Sequence, residues 1–254
     1  MRRCFGCAEV WEDASNKVSY GVQREFLWGK ELDSVMNYPL KDAVIDYILN
    51  GNASHFESTC TCLYSHYTPT AANLLMNILG THDTERILTV LGDNYRPDAS
   101  NDHLAVMRMS VQEKDAAIQR LKMASILQYT VYGIPSVFYG DEAGLEGYHD
   151  PFCRRPYPWG RENEELLEHY RKLGELRNIE KAFDRGSFRV IEHSKETLAY
   201  ERIKDNSRVV VIANGGENIY RTRIEGQWID MLSYESFENY IIIPPHSARI
   251  LKQI

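Results

Sequence analysis

A chain of 254 residues, 43% hydrophobic and 26% charged, is large enough and apolar enough for one large packed domain or two smaller ones. Its 29 Lys and Arg against 36 Asp and Glu give a formal charge of -7, so it lacks the basic excess of a protein that grips nucleic acid or an anionic membrane, and its expected partners are neutral or small. No apolar run approaches the roughly 20 residues of a membrane span, and Glu9 interrupts the apolar segment after "MRR" too early for a secretory signal, so a cytoplasmic location is expected.

The first element is "CFGCAEVW", residues 4–11, short, nearly continuous in apolar residues and broken by Gly6, which predicts a buried strand. It ends on Glu9, a carboxylate that is costly in such a place unless it has a task. "LDSVMNYP", residues 32–39, and "LLMNILGTHD", residues 74–83, supply a second and a third strand. In "EKDAAIQRLKMASILQYTVYG", Ile118, Leu121, Ala124, Leu127 and Val131 recur at helical spacing, Gly133 ends the helix, and "IPSVFYGDE" resumes as a fourth strand. "ENEELLEHYRKLGELRN" is a further helix with Leu166, Leu167, Tyr170 and Leu173 on one face. Up to about residue 183 the pattern is therefore an α/β alternation. From about 184 onward the texture changes: "TLAYERI", "RVVVIAN", "QWIDML" and "NYIIIPPHSARILKQI" are Val-, Ile- and Tyr-rich runs separated by turn formers, which predicts an antiparallel β domain over 184–254.

Three of the four strand candidates end in ionisable residues: Glu9, then His82 with Asp83, then Asp141 with Glu142. In parallel α/β barrels the C-terminal strand ends build the working face. Carboxylates converging there suit glycosidic cleavage, where one protonates the leaving oxygen and another stabilises an oxocarbenium-like transition state. Each has a plainer reading: Glu9 as a strand-end ion pair, His82 and Asp83 as a helix cap in "HDTER", Asp141 and Glu142 as loop structure or a cation site. Arg86 either is structural or orients Asp83. Five cysteines, an odd number, favour a reducing compartment. Cys4, Cys7, Cys60 and Cys62 invite a zinc reading, although "CTC" is too tight for the usual knuckle. Only Trp11 and Tyr38 are placed for a sugar ring to stack on.

At "EVWEDAS", "LDSVMNYPL", "NILGTHDTERIL" and "GIPSVFYGDEAGLEGYHDPFCRRPYPW", in that order, the chain resembles the α-amylase superfamily, glycoside hydrolase family 13, and within it the neopullulanase, cyclomaltodextrinase and maltogenic amylase group. The resemblance runs from residue 6 to the C-terminus. It implies strands five to eight of a (β/α)8 TIM barrel over 1–183, followed by an antiparallel β-sandwich domain over 184–254. It implies a retaining hydrolase of α-1,4 and α-1,6 glucosidic bonds, acting on maltodextrins, cyclodextrins or pullulan, with Glu9 as acid/base and Asp83 as transition-state stabiliser. His82 would hydrogen-bond the same sugar, Trp11 would line the leaving-group side, Asp150 and Arg154 would bind a sugar towards the non-reducing side, and Arg86 joins the binding set. No cofactor is implied, and a structural calcium is left open.

The family's nucleophile is an aspartate at the end of strand four, two residues after an arginine. Only eight residues precede Glu9 and none is Asp, so no nucleophile is expected within this sequence, which is expected to be inactive alone. "MRRCFGC" is unlike the aliphatic strand that leads into the family's glutamate, and Ala8 replaces the usual glycine, which suggests a truncated or frame-disrupted gene product. The alternative is a non-catalytic half-barrel that pairs with a copy of itself, or with a complementary chain, through the open edges of its first and last strands.

Overall fold

The apolar runs around the candidate carboxylates do form parallel strands, but hydrogen-bonded pairing is confined to their centres. The structure, a computed structural model, describes residues 5–254. In chain order, β1 (Cys7–Ala8) is followed by a hairpin of β2 (Val18–Ser19) and β3 (Val22–Gln23), then by β4 (Ser34–Val35), α1 (Tyr38–Asn50), α2 (Ala53–His66) and α3 (Pro69–Ala72). Next come β5 (Met76–Asn77), α4 (Ile87–Val90), α5 (Asn101–Val106), α6 (Val111–Thr130), β6 (Ile134–Pro135) and α7 (Glu164–Ile179). The chain ends in six longer strands, β7 (Ser187–His193), β8 (Thr197–Lys204), β9 (Ser207–Asn214), β10 (Tyr220–Asp230), β11 (Ser236–Ile243) and β12 (Ser247–Gln253). No helix among the described residues is long and apolar enough to cross a membrane.

β1 pairs in parallel with β4, Met36 bridges in parallel to Met76, and β5 pairs in parallel with β6, which sets the four strands side by side in chain order. The second strand stops earlier than residue 39. Asn37 turns its side chain to accept the Leu40 N–H and caps α1, while Pro39 has no N–H to give to a ladder. Three buried amides lock the strands to the helix behind them. Asn37 Nδ2 donates to Asn77 Oδ1 (3.0 Å), Asn77 Nδ2 to Tyr132 O (2.6 Å), and Gln128 Nε2 to both Asn77 O (3.0 Å) and Ser136 O (2.9 Å). Gly133 fits where a side chain would not: at φ +92° an added Cβ would lie 2.7 Å from Leu75 O.

The helices start where local chemistry says they should. Asn52, Ser110 and Asn163 accept backbone N–H groups at the heads of α2, α6 and α7, each worth about 1 kcal/mol. Gly51, at φ +66°, ends α1 with its N–H on Tyr47 O.

The six C-terminal strands form one antiparallel sheet in the order β11-β10-β12-β9-β8-β7. This is a single hydrogen-bonded sheet where a two-sheet sandwich was expected. Alternation along β9 explains how it still closes a core on each face: Val209, Val211 and Ala213 join the helical core, while Val210 and Ile212 pack with Trp228, Ile241 and Ile243 of the β10–β11 hairpin. A register shift between Arg223 and Gln227 lets β10 bend into that second cluster.

The sheet is joined to the helices through the C-terminal end of α6. Arg202, fully buried on β8, donates to Thr130 O (3.0 Å), and Arg177 on α7 donates to Tyr129 O (2.8 Å) and Val131 O (3.3 Å), satisfying carbonyls that the helix itself leaves open. The Thr130 and Tyr200 hydroxyls meet at the same place.

Candidate active site

Glu9 is the first residue beyond β1 and is exposed on the open side of the strands. Tyr38, the first residue of α1, is wholly buried, and its phenol donates a hydrogen bond to Glu9 Oε1. The exposed Trp11 lies on the Tyr38 ring, with centroids 4.0 Å apart and planes 18° apart. Trp11 therefore offers a free face to a ligand, whereas Tyr38, named with it as a stacking residue, is covered and acts through its hydroxyl. Burial, reinforced by the Glu9 hydrogen bond, pushes that phenol up to about 12.

The loop after β5 brings the second carboxylate to the same phenol. Thr81 Oγ1 stands 3.5 Å from Tyr38 Oη and accepts the Asp83 N–H at 3.2 Å, and the charge on Asp83 contributes to the upward push on Tyr38. Glu9 thus bonds the Tyr38 hydroxyl directly, and the Asp83 backbone is held beside it through Thr81. Asp83 Oδ2 is 3.4 Å from His82 Nε2 and Oδ1 accepts from Arg154 Nη2 at 3.1 Å. Arg154 Nε also meets Asp150 Oδ1 at 2.9 Å, so Asp150, Arg154, Asp83 and His82 form one chain of polar contacts. The capping alternative for "HD" does not hold: α4 starts at Ile87 behind Arg86, and Asp83 makes no cap.

Arg86 departs from the binding role. Its side chain is fully buried and does not reach Asp83. Nη1 meets Asp141 Oδ1 at 3.2 Å, Nε donates to Cys153 O at 2.6 Å, and the guanidinium lies over Phe138 and Tyr139. Burial raises the Asp141 carboxyl, to about 7, against the pull of Arg86. The carboxylate is packed against Gly80, where a Cβ would come 2.9 Å from Oδ2. Glu142 accepts the Gly140 N–H at 2.8 Å. Both acids after β6 are therefore engaged in the loop that places Cys153 and Arg154.

The sequence did not single out Tyr38 as the partner of Glu9, or Thr81 at all; the one signal for Tyr38 was a polar aromatic at the end of a strand candidate. The zinc alternative finds no geometry. Cys60 is buried, Cys7 and Cys62 are exposed, Cys4 lies outside the described residues, and among the described residues no three His, Cys, Asp or Glu side chains are grouped to hold a metal.

Parallel strands with ionisable residues on the following loops, joined to an antiparallel sheet, define a fold that solved structures share. An Anoxybacillus α-amylase superposes with a TM-score of 0.77 at 22% identity, covering 98% of this chain and 52% of that one. The architecture is that of the α-amylase fold, a TIM barrel with an attached β-sheet domain. The family profile "Alpha amylase, catalytic domain" matches residues 3–208, and the chain belongs to that family of glycoside hydrolases. The amylopullulanase of Thermoanaerobacter thermohydrosulfuricus is 37% identical over 207 residues, which is 77% of this chain and 13% of that enzyme. The cyclomaltodextrinase of Thermoanaerobacter pseudethanolicus is 30% identical across 96% of this chain and 38% of its own length. The chain spans well under half the length of these relatives and about half that of the solved structure.

Proposed function

We propose that this chain carries the acid/base half of a retaining α-glucan hydrolase, with Glu9 protonating the glycosidic oxygen and Asp83 holding sugar hydroxyls as charge develops at the anomeric carbon. The observation that carries this reading is the Tyr38 hydroxyl, which donates to Glu9 and adjoins Thr81, the residue that takes the Asp83 backbone N–H. A hydrogen bond from a buried phenol keeps one carboxylate oxygen oriented and leaves the other to face a leaving group. Trp11 provides the stacking face on the leaving-group side, and His82, Asp150 and Arg154 provide donors and acceptors for sugars on the other. The parallel strands are read as strands five to eight of the barrel, residues 1–183, and the antiparallel sheet as a separate domain over 184–254. The reading requires a nucleophilic carboxylate in addition to Glu9 and Asp83.

The substrates proposed are α-1,4- and α-1,6-linked glucans, including cyclodextrin and pullulan, supported by the names of the cyclomaltodextrinase and amylopullulanase relatives. The test is reducing-sugar release from maltotriose, β-cyclodextrin and pullulan by the purified chain, alone and mixed with a polypeptide bearing strands one to four of the cyclomaltodextrinase. Activity only in the mixture, abolished by Glu9→Gln or Asp83→Asn, is the expected result. Activity of the isolated chain means that a nucleophile is recruited within it. An inactive mixture that nonetheless forms a stable complex favours the non-catalytic remnant.

A further inference from the structure

Away from the carboxylates, three side chains that the glycosidase reading does not use are lined up at the C-terminal turn of α2. Cys62 and His66 are four residues apart and share a helix face. Cys62 Sγ lies against the His66 ring, 3.5 Å from Nε2 and 4.0 Å from Nδ1, while Nδ1 lies 2.6 Å from Asp13 Oδ2 in the loop after β1. Burial works to raise the Asp13 carboxyl, but the hydrogen bonds from His66 and the Ser15 N–H, with Tyr67 beside them, outweigh it and hold the group below the usual carboxylate range. Asp13 is thus an anion held beside Nδ1, which favours the tautomer with hydrogen on Nδ1 and leaves Nε2, the ring nitrogen nearer to sulfur, as the one able to take a proton. The order thiol, imidazole, carboxylate is the arrangement that turns a hydroxyl or thiol into a nucleophile.

The surroundings favour reaction over inertness. Cys60, two residues earlier, is buried, and Cys153 is buried beneath the loop after β5, whereas Cys62 is exposed. Among the described residues, the exposed Cys7 has the thioether of Met76 as its side-chain contact, at 3.8 Å, and a thioether cannot take its proton. The imidazole that touches Cys62 also lines a cavity of about 540 Å³ whose walls include Asn16, Phe26, Trp28 and Thr68, room for the body of a small co-reactant.

We propose that Cys62, His66 and Asp13 form a thiol–imidazole–carboxylate relay that makes Cys62 the site at which this chain forms a mixed disulfide with a low-molecular-weight disulfide. The Cys62 proton passes to His66 Nε2, and the thiolate attacks one sulfur of the disulfide. That S–S bond breaks as the Sγ–S bond forms, and the departing thiolate takes the proton from the imidazolium. One disulfide bond is consumed and one is made, and no further oxidant is needed.

The test follows modification of the folded chain by 5,5′-dithiobis(2-nitrobenzoate) over pH 5–9, with each cysteine, Cys4 and Cys7 included, assigned by peptide mass spectrometry. Cys62 is expected to react roughly tenfold faster than Cys7 at pH 7, with a rate profile that rises below the ordinary thiol range near pH 8.5. His66→Gln and Asp13→Asn are expected to move that profile up to the ordinary range and to leave the rate at pH 9 unchanged. The wild-type profile guards against a variant that misfolds. A Cys62 profile centred on the ordinary thiol range, or reactivity equal to that of Cys7 at pH 7, overturns the proposal. A rate lowered equally at every pH by His66→Gln overturns it too, because that is a change of access.

Discussion

Replacing Arg86 by Met tests whether the buried pair under the carboxylate loops is as consequential as its position indicates. Methionine fills much of the aliphatic stem but leaves Asp141, whose side chain is 3% exposed, without its cation. Removing one partner of a buried ion pair costs about 3–5 kcal/mol, and the Cys153 and Tyr139 carbonyls lose their donors as well. The loss must also depend on pH. Burial already raises the Asp141 carboxyl to about 7 with Arg86 present, and without Arg86 it rises further. A carboxyl raised above its unfolded value stabilises the fold fully only below that unfolded value, near ~4, and the contribution is lost as pH rises through the folded one. Arg86→Met is therefore expected to lose more stability at pH 8 than at pH 5, and Asp141→Asn in the same chain is expected to restore part of the loss at pH 8. Urea unfolding followed by circular dichroism at both pH values measures each variant. A loss under ~1 kcal/mol, or an equal loss at pH 5 and pH 8, refutes the reasoning.

Four further outcomes follow from the same geometry. Tyr38→Phe keeps the ring under Trp11 but removes the Glu9 hydrogen bond; in the complemented enzyme it is expected to lower kcat roughly tenfold, the worth of one hydrogen bond to a charged group. The same variant removes one late-ionising phenol from the alkaline absorbance titration, because Tyr38 is pushed up to about 12 and its contribution to stability is lost as pH rises past its unfolded value near ~10. His169 is held neutral, chiefly by burial and secondly by the Lys122 charge, with its imidazole lowered to about 4 and its Nε2 2.9 Å from Ser125 Oγ. Stability is lost as pH falls from the usual histidine value to about 4, and His169→Gln is expected to flatten that slope by at most ~3 kcal/mol, read from urea midpoints between pH 7 and pH 4. Arg154→Ala releases Asp83 and Asp150 together, so in the complemented enzyme it is expected to raise KM for long glucans more than for maltotriose, as initial rates over a chain-length series will measure.

The sequence revealed the order of elements and the residues that stand at strand ends, because apolar runs, helical spacing and capping residues are all local signals. The antiparallel region was legible as β for the same reason, yet its single bent sheet was not, since the bend depends on one register shift in β10. Strand length was overestimated, for a run of eight apolar residues pairs only where a neighbour lies alongside, and Asn37 and Pro39 turn the chain into a helix two residues after β4. Arg86 was ambiguous because an arginine four residues past a histidine is spaced alike for a sugar or for a carboxylate 55 residues away. Tyr38 was hidden because its value comes from Glu9, 29 residues earlier, and no spacing rule connects them.

The two arginines at the end of α6 couple parts that a reading by domains would separate. Arg202 comes from the antiparallel sheet and Arg177 from α7, and both hold carbonyls within three residues of the turn into β6. If the sheet unfolds, that helix end is left with buried, unsatisfied carbonyls, and the strand feeding the Asp141 and Arg154 loops loses its anchor. The sheet and the strands that carry the carboxylates are therefore expected to melt as one cooperative unit, and proteolytic nicking near residue 184 to remove a buttress of the site rather than trim an appendage.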